Sequence, residues 1–157
     1  MTTAVCVHTG KTFRTEVEAR THRYVLDEPQ SAGGNDEGPT PYEALASALA
    51  SCTAMTLRFY ANREHLPLDA IDVTVEHDRQ HAKDCADCVT HAGYIHRFTV
   101  SIRMTGDLTI EQKTHLLSIA ARCPVAKTLA SEIKIDEKLI DGASTIASDQ
   151  TTPVPPS

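Results

Sequence analysis

Residues 41–64, PYEALASALASCTAMTLRFYANRE, constrain the fold more than any other part of the chain. Ala and Leu dominate the run, and both are strong helix formers. Thr40 is a good N-cap and Pro41 fits the first helical position, where a missing N–H costs nothing. Glu43, three residues after Thr40, completes a capping-box pattern. Pro67 marks the far end. These signals predict one long helix from Pro41 to about Glu64. Small apolar residues occur on every side of it, so it is expected to be buried on most faces rather than to lie on a surface. A chain of 157 residues has little material to cover such a helix alone, which points to a second copy.

The flanking segments read as sheet and shorter helices. Residues 3–8 and 12–26 alternate loosely between β-branched and polar residues, predicting a β-meander or hairpin with a turn at Thr9-Gly10-Lys11. Residues 27–41 are dense in Gly, Pro, Asp and Asn and read as a loop. Ile71–Glu76 and Ile95–Met104 alternate apolar and polar residues, as half-buried strands do, and a polar connection over 77–93 joins them. After a Gly106-Asp107 turn, Thr109 and Gln112 form a second capping box that opens a helix to about Arg122. Cys123-Pro124 interrupts it and starts a short helix to about Ser131. Ile133 and Ile135 suggest a last strand. The order of elements predicts an α+β protein.

Composition excludes several classes of function. The net charge of −6 leaves no basic stripe for phosphates, so nucleic acid is not an expected partner. No Trp and only 4% aromatic residues leave no stacking platform for bases. No apolar run approaches the ~20 residues of a membrane-spanning helix. The N-terminus lacks the pattern of a secretory signal, so a cytoplasmic location is expected. Residues 1–142 read as one domain. The small, polar and Pro-rich stretch 143–157 reads as a disordered tail.

Two of the five cysteines are placed for chemistry. Cys52 lies inside the long helix, where a small core residue and a reactive thiol are both open readings. Cys123 precedes Pro124 and so stands at or near the N-cap of a new helix. The partial positive charge there lowers a thiol pKa, and Arg122 would act in the same sense if it points that way. An inert thiol at a Cys-Pro kink is the alternative. Cys6 has no evident partner and reads as structural.

Gly33-Gly34, the box Gly38-Pro39-Thr40-Pro41-Tyr42-Glu43 and the run Ser51-Cys52-Thr53-Ala54-Met55-Thr56-Leu57-Arg58 resemble the first-cysteine segment of the OsmC/Ohr family. Ile119 through Arg122-Cys123-Pro124-Val125 to Leu129 resembles its second-cysteine segment, and Gly106-Asp107-Leu108 also fits. The similarity covers about residues 12–141. It is greatest to the OsmC-like branch that carries the His22…Asp27-Glu28-Pro29 stretch. The resemblance implies an intertwined homodimer with antiparallel sheets around long central helices. It also implies reduction of small organic hydroperoxides by a cysteine pair without a cofactor. Carried over by motif, Cys52 is the peroxidatic thiolate and Cys123 the resolving thiol, with an external dithiol as reductant.

The sequence departs from that pattern at one point. The family's peroxidases carry a carboxylate directly after the helix-opening proline, and here that position is Tyr42. Glu43 comes one residue later. The nine residues from Glu43 to Cys52, at about 100° each, set them on roughly opposite helix faces. Glu43 is therefore expected to serve the capping box, while Tyr42 could face Cys52 and donate a hydrogen bond. The family also uses an Arg from an N-terminal strand. Arg14, Arg20 and Arg23 are the candidates and Arg20 is favoured. His22 is either an acid–base group near the thiol or a solvated strand residue.

His77, His81, Cys85, Cys88, His91 and His96 leave three readings open: a zinc site, an auxiliary disulfide, or a solvated loop with incidental thiols. Cys85 and Cys88 are weak metal candidates, because zinc requires four well-placed ligands. The functions in competition are a Cys-based peroxidase, a redox sensor or binding protein with little turnover, and a hydrolase with Cys52 as nucleophile. No Cys/His/Asp motif supports the last.

Overall fold

The computed structural model describes residues 4–140. The expected tail at 143–157, and with it the domain boundary at 142, lies outside the described residues. The N-terminal meander comprises β1 (Cys6–Thr9), β2 (Thr15–Ala19) and β3 (His22–Leu26), paired antiparallel in that order. The stretch 12–26 is thus two strands, divided by a tight turn in which Arg20 takes a left-handed φ of 59°. A loop containing a short 3-10 turn, Gln30–Ala32, leads to α1 (Pro41–Arg63).

Both ends of α1 are closed by local chemistry. The Glu43 N–H donates to Thr40 Oγ1 at 3.2 Å, and the Thr40 N–H donates to a Glu43 carboxylate oxygen at 2.7 Å. A cap of this kind contributes about 1 kcal/mol. At the other end the Leu66 N–H reaches the Ala61 carbonyl at 2.9 Å and the His65 N–H reaches Asn62 at 3.3 Å. His65 takes a φ of 52°, the left-handed conformation that a Schellman motif requires. The chain then turns directly into the next strand.

That strand, β4 (Leu68–His81), pairs antiparallel with β5 (Tyr94–Gly106) in a long two-stranded ribbon. Both strands run further than the apolar alternation predicts, so the connection is 82–93 rather than 77–93. The reason is that alternation continues in aromatic and histidine side chains. His77 stacks on Phe98 with centroids 4.6 Å apart, and His81 packs on Tyr94 at 4.2 Å. These are cross-strand pairs of the kind that stabilise sheets.

Two helices follow, α2 (Ile110–Ala120) and α3 (Pro124–Leu129). Thr109 and Gln112 cap α2 reciprocally. The core lies where α1, α2 and the proximal end of the ribbon meet. It contains Leu57, Ala61, Leu68, Leu116 and Ile119, with Ile71, Ile102 and Met104 packed against them. Arg58 on α1 donates to the carbonyls of Leu68 and Asp69 and fixes the start of β4 to the helix.

Three expectations need correction. Residues 133–135 form no strand, and Ile135 is 81% exposed, because no partner strand reaches them within the described residues. Cys6, read as structural, is a free and exposed thiol on β1. Within one chain α1 buries a single stripe, Leu49, Thr53, Leu57 and Ala61, while Met55 and Phe59 are about 70% exposed. No helix among the described residues is long and apolar enough to cross a membrane.

Candidate active site

Cys52 lies at the middle of α1, and Cys123 is the N-cap of α3, which packs against α1. The helix break at Cys123 has a local cause. Ala121 caps α2, and the ring of Pro124 has no N–H to continue it but suits the first position of α3. This brings the two thiols together. Both are free, Cys52 half-buried and Cys123 fully buried.

The surroundings of Cys123 govern its proton. Burial pushes its thiol up. The Ala126 amide, the Thr53 hydroxyl, the Cys52 thiol and the Val125 amide act the other way and together outweigh burial, so the thiol is held below its usual range. The two amides do not close a full cap hydrogen bond. They act as oriented dipoles at a helix start, which shifts the thiol in the direction of the thiolate. Arg122, next in sequence, is exposed and is not among these groups. Thr53 is itself buried, one residue from Cys52, and sequence reasoning gave it no role.

An apolar cavity of about 470 Å³ opens beside the pair. Leu49 and Thr53 of α1, Phe98 and Val100 of β5, and Ala120 and Ala126 of the following helices contribute to its wall. Thr53 and Ala126 belong both to the cavity and to the Cys123 environment. His96 also lines it. A hollow of about 480 Å³ on the N-terminal sheet, beside Cys6 and Tyr24, is separate from this chemistry.

The other predicted residues divide. Glu43 is engaged by the capping box and so is assigned a structural task. Tyr42 stacks on His77, with centroids 4.6 Å apart and planes 5° from parallel, and His96 lies 5.9 Å away. His77 Nε2 and His96 Nδ1 share a hydrogen bond at 2.9 Å. Tyr42 thus belongs to an aromatic and imidazole cluster whose two histidines stand on the ribbon. Arg20 and His22 are exposed at the β2–β3 hairpin, and neither is among the groups acting on the Cys123 sulfur. Arg14, by contrast, is paired with Glu16 at 2.7 Å and Glu37 at 2.9 Å. Cys85 and Cys88 are bonded to each other, so their sulfurs are not available as a pair of thiolate ligands in this state.

Asp27 is a further residue without an assigned role in the sequence. It is buried, and its carboxylate accepts from the N–H groups of Glu28, Asn35 and Glu37 at 2.9, 3.0 and 3.2 Å. Burial pushes its carboxyl up, but the three amides and the nearby Arg14 charge prevail and hold it below the usual carboxylate range. It winds the loop that delivers the chain to Thr40. Gly34 must be glycine there, because a Cβ would run into the Glu28 carbonyl.

The OsmC-like protein family profile matches residues 33–138. An OsmC-like protein from Mycoplasma pneumoniae has a similar fold, with a TM-score of 0.68 at 16% identity over 83% of this chain and 88% of that one. The organic hydroperoxide resistance protein OsmC of Legionella pneumophila aligns with a TM-score of 0.61 at 21% identity, over 82% and 89% of the two chains. OhrB of Bacillus subtilis, another organic hydroperoxide resistance protein, gives 0.57 at 18%, over 82% and 90%. The comparison with curated proteins finds no match. With two thirds of its length matched by the family profile and its fold shared with these structures, this chain belongs to the OsmC-like protein family.

Proposed function

We propose that this protein is a thiol-dependent peroxidase for organic hydroperoxides, working through Cys52 and Cys123 and reset by an external dithiol. The observation that carries the reading is the apposition of the Cys52 thiol and the buried Cys123 sulfur beside an apolar cavity. Cys52, the more accessible of the two, attacks the distal peroxide oxygen as a thiolate. The O–O bond breaks, the alkoxide leaves and takes a proton, and Cys52 becomes a sulfenic acid. The Cys123 thiolate then attacks the Cys52 sulfur. An S–S bond forms and the hydroxyl leaves as water. A dithiol returns both sulfurs to thiols and is itself oxidised to a disulfide. The depressed Cys123 pKa suits the second step, because the thiolate is the nucleophile. Structures bearing hydroperoxide-resistance names support the substrate class.

The proposed assembly is a homodimer. Its support is the uncovered side of α1, where Met55 and Phe59 stand exposed. Arg20, which enters none of the ion pairs among the described residues, is the cation we assign to the Cys52 thiolate, and His22 stands two residues on, at the start of β3. The compartment we assign is the cytoplasm, where reducing dithiols are maintained.

A redox sensor with slow turnover is the second reading. It is favoured by one observation: the Glu43 carboxylate is held in the cap, and Tyr42, which carries no carboxylate, is held in the histidine stack. Steady-state consumption of cumene hydroperoxide with dithiothreitol decides between them. The peroxidase reading expects many turnovers per chain, with Cys52→Ser at background. A single turnover that then stalls despite excess dithiol supports the sensor.

A further inference from the structure

The 82–93 loop joins β4 to β5, and it is closed at its base without any covalent help. The Ala82 N–H donates to the Gly93 carbonyl at 2.9 Å, and His81 packs on Tyr94 just below. Cys85 and Cys88 are disulfide-bonded within this loop, with Cα atoms 5.5 Å apart. The bond ties no strand to another strand or helix. With two residues between its cysteines it also removes very little chain entropy from the unfolded state. Stability does not account for it.

The two sulfurs differ in access and in electrostatic surroundings. Cys85 is 8% exposed and Cys88 is half-buried. The Arg97 guanidinium lies 3.5 Å from Cys85 Sγ, and Arg97 is paired with Asp87 at 3.6 Å. Asp87 Oδ1 lies 3.1 Å from the same sulfur. Burial of Cys85 directs attack to the more accessible Cys88, and the Arg97 cation favours Cys85 as the leaving thiolate by offsetting the Asp87 carboxylate, which lies nearer and opposes negative charge on that sulfur. The carboxylate is a ready acceptor for the S–H formed afterwards.

We propose that Cys85 and Cys88 form a second redox centre, a thiol–disulfide exchange site for dithiols, with Cys88 the sulfur attacked and Cys85 the leaving thiolate. The incoming thiolate bonds to Cys88 Sγ, and the Cys85–Cys88 bond breaks. The electron pair goes to Cys85 beside Arg97, and that sulfur then takes a proton and donates it in a hydrogen bond to Asp87. The second thiolate of the donor attacks its partner sulfur in the mixed disulfide and releases Cys88. Two electrons and two protons pass from the dithiol, which leaves as a disulfide. The centre is independent of whether Cys52 and Cys123 reduce peroxides.

The test uses the full chain carrying Cys52→Ser and Cys123→Ser, so that failure of the peroxidase reading cannot confuse it. Native protein is reduced with dithiothreitol, and Cys85 and Cys88 are followed by alkylation and peptide mass spectrometry. The expected result is complete reduction without unfolding, and about tenfold slower reduction in Arg97→Gln, with the rate largely restored in Arg97→Lys. A brief pulse of reduced glutathione is expected to leave its mixed disulfide on Cys88. A bond that resists dithiothreitol until the protein unfolds, an unchanged rate in Arg97→Gln, or glutathione on Cys85 would overturn the proposal. So would one equivalent of tightly held zinc in protein purified under reducing conditions.

Discussion

At the scale of single residues, Thr53 contributes to the environment of the Cys123 sulfur and Asp27 organises the loop before α1. Thr53 is a buried hydroxyl acting on the Cys123 sulfur from the neighbouring helix. Thr53→Val keeps the shape and removes the hydroxyl, so the Cys123 thiol should move up toward the ordinary value of about 8.5. Thiolate absorbance against pH in a Cys52→Ser background measures this, and an unmoved curve would count against Thr53. Asp27 gives a stability signature. Its folded-state pKa lies below the unfolded value of about 3.9, so its contribution is complete above that value and is lost as pH falls through the lower folded one. Asp27→Asn should therefore lower the urea midpoint at neutral pH and narrow the difference between neutral pH and about pH 3. Thr53 was not legible because it acts across a helix–helix contact, and Asp27 because the amides it accepts from converge only once the 28–37 loop is wound around it. The two cysteines were legible only because their flanking motifs resemble those of a known family. Spacing alone could not have joined residues 52 and 123.

Elements were legible in proportion to how local their causes are. The helix α1 was evident from Thr40, Pro41, Glu43 and Pro67, all within or beside it, and the structure ends it at Arg63. The strands β4 and β5 were evident where Val and Ile alternate. The distal end of β4, from His77 to His81, was missed because its histidines look like loop residues until stacked across the ribbon on Phe98 and Tyr94. Ile133 and Ile135 erred in the opposite direction, since a β-prone pair is a strand only when another strand accepts it. The same locality gives a prediction at the end of α1. His65 holds a left-handed backbone that glycine adopts freely, so His65→Gly should stabilise the protein by about 0.5–1 kcal/mol in chemical denaturation. A loss of stability would mean that the His65 side chain matters more than its backbone.

At the scale of the molecule, the described chain covers one side of its longest helix and leaves the other open. The stripe from Leu49 to Ala61 reaches the core, while Phe59 and Met55 face outward. A homodimer that covers this side should appear as twice the monomer mass in light scattering, and Phe59→Glu should raise its dissociation constant by about tenfold or more. A monomer at micromolar concentration would remove the dimer from the account. The central claim is narrower: that Cys52 and Cys123 act as one redox pair. Its most direct test is mass spectrometry of the thiols after adding stoichiometric cumene hydroperoxide to wild type and to Cys123→Ser. A Cys52–Cys123 disulfide is expected in the wild type and a trapped Cys52 sulfenic acid in the variant. Thiols that both remain unreacted for minutes, or oxidation confined to other cysteines, would contradict it.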